Sequence, residues 1–545
     1  MQEDIKAAAQ ENLQAKSADK MGTMPVNKLI ITMALPMIVS MLVQAMYNIV
    51  DSIFVAGVSY NAFTALSLAF PWQNLMIAVA VGTGVGVNAL LSKSLGEGNY
   101  ERANRVAGNS IVLAILSSLV FVILGFTLSG TFFEFQVKFS QGIAKEAVDE
   151  VIAAGKEYIS ICSVISIGIF MQVCFERLLQ ATGKTKFVMI SQMAGAITNI
   201  VLDYVFIKIC GWGVAGAAYA TVIGQCLGAA LAGIFCVRFN KDIHFHIKYL
   251  KLSGKVLSAI YKVGVPSIIM SAIGSLMVFL MNLILIRFEG IGMDAVTIFG
   301  VYFKLMSMVF MPVFGLNNGI VPIIAYNFGA KQHERIKKTT NLSLIYATAI
   351  MAIGFLIMQI EPSSLILLML NNFSLKNVTP EMQTLVDSMG ITAFRIMSIS
   401  WLFAGASIVC SSVIQAVGKG VMSLMISLMR QLIILLPVAY FLSLTGNLNA
   451  VWWSFPIAEF IALIASVIFL GVTIKFIKRY TESGENVALY ENATENSFDT
   501  ENTETQTARE ENSQTETLQD EKENSQEVQV ETSSQPFATQ KENKA

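Results

Sequence analysis

The chain has 545 residues, of which 54% are hydrophobic and only 14% charged, with a mean hydropathy of +0.60. Soluble domains carry about 25% charged residues, so these values exclude an ordinary soluble protein and point to the membrane. The net charge of −1 conceals a division: from Thr481 onward sixteen acidic residues face four basic ones, so this tail carries −12 and residues 1–480 carry +11.

In chain order, residues 1–27 read as a polar N-terminal cytoplasmic tail with no cleaved signal, because the first apolar run is too long for a signal segment. Twelve apolar segments follow, near 28–56, 62–92, 106–131, 156–179, 186–208, 212–238, 256–286, 294–326, 338–360, 387–416, 421–444 and 449–475. Each can cross about 30 Å of hydrocarbon at about 1.5 Å per residue. Each should be helical, since a span must satisfy its own backbone hydrogen bonds. The expected fold is an all-α integral membrane protein with twelve transmembrane helices in two six-helix lobes. The N-lobe covers 28–240, a basic cytoplasmic linker 241–255 and the C-lobe 256–480; residues 481–545 form an acidic cytoplasmic tail too poor in aromatics to bury a core, and so disordered.

The distribution of Lys and Arg supports this count. Predicted cytoplasmic segments carry 22, whereas the opposite set carries six: Lys138, Lys145, Lys156, Lys208, Arg287 and Lys376. By the positive-inside rule both termini are cytoplasmic. The linker contains Arg238, Lys241, Lys248, Lys251 and Lys255, and His244 and His246 within it lack companion ligands, so a solvated loop is expected rather than a metal site.

The two halves repeat. Gly82 through Gly86, Gly96 and Glu101-Arg102 line up at an offset of 233 with Gly315 through Gly319, Gly329 and Glu334-Arg335. Gln180-Ala-Thr-Gly-Lys184 meets Gln415-Ala-Val-Gly-Lys419 at an offset of 235, and Pro36 meets Pro266 at 230. Six helices per half is an even number, so both halves enter the membrane from the same side, a parallel repeat related by an axis along the membrane normal that suggests alternating access.

Ionisable residues inside apolar spans mark function by default. Asp51 lies near the outer end of helix one and Asp203 near that of helix five. Asn199 is one turn from Asp203 on the same face, and Thr221 reaches a similar depth on helix six. These oxygens suit a hard monovalent cation or a proton, because two nearby carboxylates in low dielectric do not both stay ionised cheaply. The C-lobe lacks these acids: Asp51 maps near Asn282 and Asp203 near Val438. It instead carries Lys304, Arg395, Arg430 and Glu459, the last two read as a structural ion pair on adjacent helices.

With Pro36 and Gln44 on helix one, this set resembles the N-lobe of the multidrug and toxic compound extrusion (MATE) family, nearest its bacterial branch of DinF and MepA-like exporters, from about Met24 to Tyr480. The resemblance implies a secondary active multidrug efflux antiporter in the bacterial inner membrane, expelling organic cations and amphipathic drugs as H+ or Na+ enters, with a part in antibiotic resistance. It makes Asp51, Asn199, Asp203 and Thr221 the cation-coupling site, Pro36 a helix hinge and Gln44 a cavity residue beside the drug. Glu176 departs from the family pattern and either contacts a cationic substrate or pairs with Arg177. Met41, Phe170, Met171 and Phe175 are further candidates for the drug-binding wall.

No Walker motif, HExxH, GxSxG or intramembrane His is present, which argues against an ATPase or an intramembrane enzyme. No cofactor, resident metal or nucleic-acid partner is expected, only the coupling ion, drug substrates and the bilayer, and the chain is expected to act as a monomer. The six cysteines have no CxxC spacing and read as packing residues. The rival function is a flippase for a lipid-linked saccharide, which would require a strongly cationic cavity.

Overall fold

The computed structural model describes residues 20–56, 58–139, 148–370 and 379–482, without the side chains of residues 48, 49, 51–53, 55, 56, 60, 63 and 137–139. Residues 1–19, Lys145, Lys376 and the tail beyond Glu482 lie outside the described residues, as do the side chains of Asp51 and Lys138. Helices without strands make up the ordered elements among the described residues, as a solvent that offers no hydrogen bonds requires.

The first half comprises α1 (Val26–Ala56), α2 (Tyr60–Gly96), α3 (Tyr100–Phe139), the bent pair α4 (Val148–Val164) and α5 (Ile167–Ala181), α6 (Thr185–Asp203) and α7 (Gly213–Phe239). The second comprises α8 (Gly254–Leu285), α9 (Gly292–Gly329), α10 (His333–Ile360), the short α11 (Pro362–Leu370) and α12 (Pro380–Leu385), α13 (Ile391–Ser398), α14 (Trp401–Ala416), α15 (Gly420–Leu428), α16 (Leu435–Ser443), α17 (Leu448–Trp452) and α18 (Ser454–Glu482). Among the described residues, ten segments are long and apolar enough to span, and twelve if each of two bent pairs is one span.

Those pairs depart from the straight helices expected near 156–179 and 387–416. The chain bends by 47° between α4 and α5, and by 43° between α12–α13 and α14. Serines cluster at both bends, and the backbone there switches to bonds three residues back, Ser166 N to Ser163 O and Ser400 N to Met397 O. Ser400 Oγ also donates to Met397 O at 2.6 Å. At the second bend, hydroxyls that compete for carbonyls of their own helix open it without proline; at the first, Ser166 Oγ instead donates to Ser118 O of α3. The bends fall about 234 residues apart, another element of the repeat.

The repeated glycines lie where the two halves meet. A Cβ on Gly96 would overlap the carbonyl of Tyr326 in α9, and one on Gly329 would overlap the carbonyl of Lys93 in α2. Adding 233 carries Gly96 to Gly329 and Lys93 to Tyr326, so one contact is the other with the halves exchanged. Gly82 likewise meets Ile268 of α8 while Gly315 meets Ile38 of α1. Close approach of backbones explains these glycines.

The paired Gln-Ala-x-Gly-Lys motifs both form a helix-to-helix turn with glycine at positive φ, +74° at Gly183 and +87° at Gly418. Their lysines find different partners. Lys184 bonds Asp242 and Asn240 Oδ1, the latter at 2.9 Å, whereas Lys419 Nζ stands 3.8 Å from the ring centre of Phe476, a cation–π contact. Burial there pushes the Lys419 ammonium below its ordinary value.

The linker is strapped down, not loose. Asn104 Oδ1 accepts from His244 N at 2.8 Å. Asn109 donates to the carbonyls of Tyr249 and Lys251 at 3.1 Å and accepts from Ser253 N at 2.9 Å. Cys162, Cys174, Cys236 and Cys410 are buried, and Cys210 is exposed.

Candidate functional site

The site is built around a crossing of α6 and α7. A Cβ on Gly195 would lie 2.8 Å from the Gly224 carbonyl oxygen, and one on Gly224 would lie 2.7 Å from that of Gly195. With side chains absent, the helices touch backbone to backbone. One turn from each glycine, Asn199 and Thr221 are thereby brought side by side, and Asn199 Nδ2 donates to Thr221 Oγ1 at 3.4 Å. Asn199 Oδ1 is buried with no hydrogen-bond partner among the described residues. A further turn along, Asp203 is fully buried and closes α6 where it widens into a π-helix over Tyr204–Ile209. Such wide turns are frequent at functional positions in helices. Asn199, Asp203 and Thr221 therefore lie on one short stretch of the α6–α7 seam. Asp51 lies in the last turns of α1, its side chain outside the described residues.

A cavity of about 120 Å³ opens beside this seam. From α1 come Ser40, Met41, Gln44 and Tyr47. From α5 come Gln172, Glu176, Arg177 and Gln180, and from α6 and α7 come Gln192, Asn199, Thr221 and Gln225. Asn318 of α9 completes the wall from the other half. Pro36 is buried inside α1, which continues as helix through it.

Glu176 is 4% exposed, and its two oxygens have different donors: Gln172 Nε2 at 2.9 Å and Gln192 Nε2 at 2.6 Å. Gln192 Oε1 in turn bonds Ser40 Oγ, so a polar chain runs from α1 through α6 to α5. Of the two readings of Glu176, the pairing with Arg177 is not made. Consecutive helical residues point about 100° apart, and no ion pair joins them among the described residues. Arg177 Nη1 donates to Gln180 Oε1 and Asn318 Oδ1, both at 2.9 Å. Its guanidinium thus ties α5 to α9 across the two halves.

Three expected wall residues lie elsewhere. Residues 169, 172, 173, 176, 177 and 180 share the cavity-facing side of α5, and positions 170, 171 and 175 fall outside it. Phe170 is buried in an apolar cluster, its ring 5.6 Å from that of Phe121. Met171 packs on the same cluster, and Phe175 lies against Gly233 of α7. Emphasis on aromatic and thioether side chains passed over the amides that do line the cavity, Gln172, Gln180, Gln192 and Gln225. Their signal was present: neutral amides within apolar spans need partners or a cavity.

In the second half Arg430 Nη1 lies 3.6 Å from Glu459 Oε1, with side chains 21% and 11% exposed. The two form an ion pair between α18 and a π-helical stretch, Met429–Ile433.

A family model described as MatE matches residues 36–205 and 266–441. The Multidrug export protein MepA of Staphylococcus aureus (strain MRSA252) is 26% identical over 449 residues, covering 82% of this chain and 93% of that protein. MepA of Staphylococcus haemolyticus (strain JCSC1435) is 25% identical over 429 residues, 78% and 89% of the two chains. Among solved structures, a MATE in complex with MaL6 superposes with a TM-score of 0.77 at 23% identity, over 84% of this chain and 99% of that one. A MOP superfamily transporter from Pyrococcus furiosus, described as having a binding pocket of reverse polarity, superposes with a TM-score of 0.76 at 23% identity, over 84% and 98%. At that identity the likeness is one of fold, the two-lobe bundle of twelve helices.

Proposed function

The chain belongs to the MatE family, and from that premise we propose that it is a secondary active exporter of lipophilic drugs and organic cations, driven by H+ or Na+ entering in exchange. The observation that carries this reading is the adjacency of the amide-lined cavity around Glu176 and the Asn199–Thr221–Asp203 stretch of the α6–α7 seam. A drug in the cavity and a cation on the seam would share one wall, so occupancy of either changes the electrostatics met by the other. The two curated relatives, both named as multidrug export proteins, support the same reading.

In this mechanism, oxygens of Asp51, Asp203, Asn199 and Thr221 take the entering ion. An ion neutralises carboxylate charge in a low-dielectric setting, where Coulomb terms are large, and thereby removes attraction for a cationic drug. Pro36, which breaks the hydrogen-bond ladder of α1, lets that helix bend as the cavity empties. Gln44 and Glu176 contact the drug, and loosening of the Arg177–Asn318 bridge accompanies alternating access between the lobes. The protein would work as a monomer in the bacterial cytoplasmic membrane, with both termini inside.

Purified protein in liposomes loaded with ethidium, given an imposed proton or sodium gradient in separate runs, tests the proposal. Gradient-driven ethidium movement with one ion is the expected result. Movement with neither ion, for ethidium and for other lipophilic cations, would overturn it.

A further inference from the structure

A second cavity, of about 510 Å³, lies far from the drug site, where the first turn of α1 meets the first turns of α10. Its polar wall is Glu334, Arg335, Lys337, Lys338 and Asn341, and its apolar wall is Pro25, Val26 and Leu342. Both helices are candidate spans, Val26–Tyr47 and His333–Ile360, so their first turns place this pocket at a bilayer surface. We propose that it binds the headgroup of an anionic phospholipid.

The repeat supplies the first argument. In the first half, each cation of the equivalent corner has a carboxylate partner: Arg105 pairs with Glu101 at 2.8 Å, and Arg102 and Lys93 share Glu97 at 3.5 and 3.6 Å. In the second half Lys338 stands at the position of Arg105 and Glu334 at that of Glu101, yet among the described residues Lys337 and Lys338 make no ion pair. Arg335 is spent on structure, its Nη2 donating to the carbonyls of Met21 and Met24 at 2.8 and 2.9 Å and its Nε to Asn327 at 3.0 Å. This holds the start of α1 in place and its positive charge at the pocket wall. The pocket therefore presents three cations against the one carboxylate of Glu334.

The second argument is the surface that continues from it. Tyr346 of α10 bonds Asn27 of α1, which marks where the two helices touch. Ile31 lies one turn deeper than Asn27 on the same face of α1, and Ile345 one turn deeper than Asn341 on α10. Ile31, Leu35 and Ile345 are all at least half exposed. A basic pocket next to exposed apolar side chains within candidate spans matches a phosphodiester bearing acyl chains. A free phosphate would make no use of the apolar side chains. Basic pockets at the surface ends of spanning helices attract anionic headgroups.

The full chain, delipidated in neutral detergent and titrated with phosphatidylglycerol, phosphatidylcholine or inorganic phosphate, provides the test, with native mass spectrometry counting lipid retained per chain. One phosphatidylglycerol should be retained, with phosphatidylcholine held at least about tenfold less tightly. At about fivefold per surface charge, Lys337→Gln with Lys338→Gln should weaken phosphatidylglycerol about 25-fold, while Lys248→Gln with Lys251→Gln in the linker should change it less than about twofold. Should the first pair fail to accumulate, Asn341→Asp sets a carboxylate beside both lysines and, as a change of one charge, should weaken phosphatidylglycerol about fivefold. Equal retention of the two lipids, equal loss from the linker pair, or displacement of phosphatidylglycerol by equimolar phosphate would each overturn the assignment.

Discussion

Gly96 lies on Tyr326 and Gly329 on Lys93, so the two six-helix halves meet as equivalent packing surfaces. Their polar interiors are not equivalent. The first half turns Glu176, Arg177 and several glutamine amides toward a cavity and sets Asn199, Thr221 and Asp203 along its seam. The second places Arg430 beside Glu459 and closes the pair on itself. Backbone contact at an interface can be met only by removing side chains, and exchange symmetry imposes the demand on both halves. A buried charge has two solutions, an ionic partner or a cavity: Glu176 of the first half lies on a cavity, whereas Glu459 of the second has an ionic partner.

The largest effect expected from breaking this asymmetry is functional. Asp203→Asn, or Asp51→Asn, should reduce ethidium efflux and drug tolerance in a drug-sensitive bacterium to the level of cells without the protein, with membrane abundance preserved. Tolerance equal to wild type in both variants would remove the coupling assignment from the first half.

Next in size is the ion pair of the second half. Removing one partner leaves a poorly solvated charge uncompensated, a loss of about 3–5 kcal/mol for a buried pair. Glu459→Leu should therefore lower the melting temperature markedly, and Arg430→Leu added to it should restore much of the loss, with the order of preferred drugs unchanged. If Glu459→Leu keeps its stability and instead alters which drugs are exported, the charge asymmetry between the halves is not as drawn.

The glycine seam tests the symmetric side of the comparison. A branched side chain forced into a packed contact costs about 1–3 kcal/mol, sometimes more. Gly96→Val and Gly329→Val should destabilise the protein by similar amounts, read as similar shifts in melting temperature. A large shift in one and none in the other would show that the seam is not shared equally.

Much of this design was legible in the chain itself, for identifiable reasons. The spans follow from a hydrocarbon solvent that permits only helices, and the repeat from glycines at contacts where no Cβ fits. Asn199 and Asp203 share a face through helical spacing alone, although the crossing at Gly195 and Gly224 that brings Thr221 beside them depends on two segments that no single-helix pattern relates. The bends at Ser166 and Ser400 are not legible in the sequence because serine is common in straight spans, and whether its hydroxyl takes a carbonyl of its own helix, as Ser400 does, or one of a neighbour, as Ser166 does with Ser118, depends on packing. Phe170, Met171 and Phe175 were misplaced on the cavity wall because apolar side chains suit a core as well as a pocket. The position of α5 between its neighbours decides which face is which, and that depends on the bend before it.

The smallest effect is expected from the region with the most charge. Residues beyond Ser483 hold nearly all of the −12 that offsets the +11 of the remainder, so removing them changes the net charge of the chain from −1 to strongly positive. If that charge acted on the drug site it would have to act through water, where interactions between exposed charges fade beyond about 8–10 Å at physiological ionic strength. Truncation after Ser483 should accordingly leave ethidium efflux within about twofold of the full chain at 0.15 M salt, measured at matched membrane abundance. A larger loss that recovers as salt is raised would identify the tail as an electrostatic partner of the basic surface, and a loss insensitive to salt would point to a specific contact.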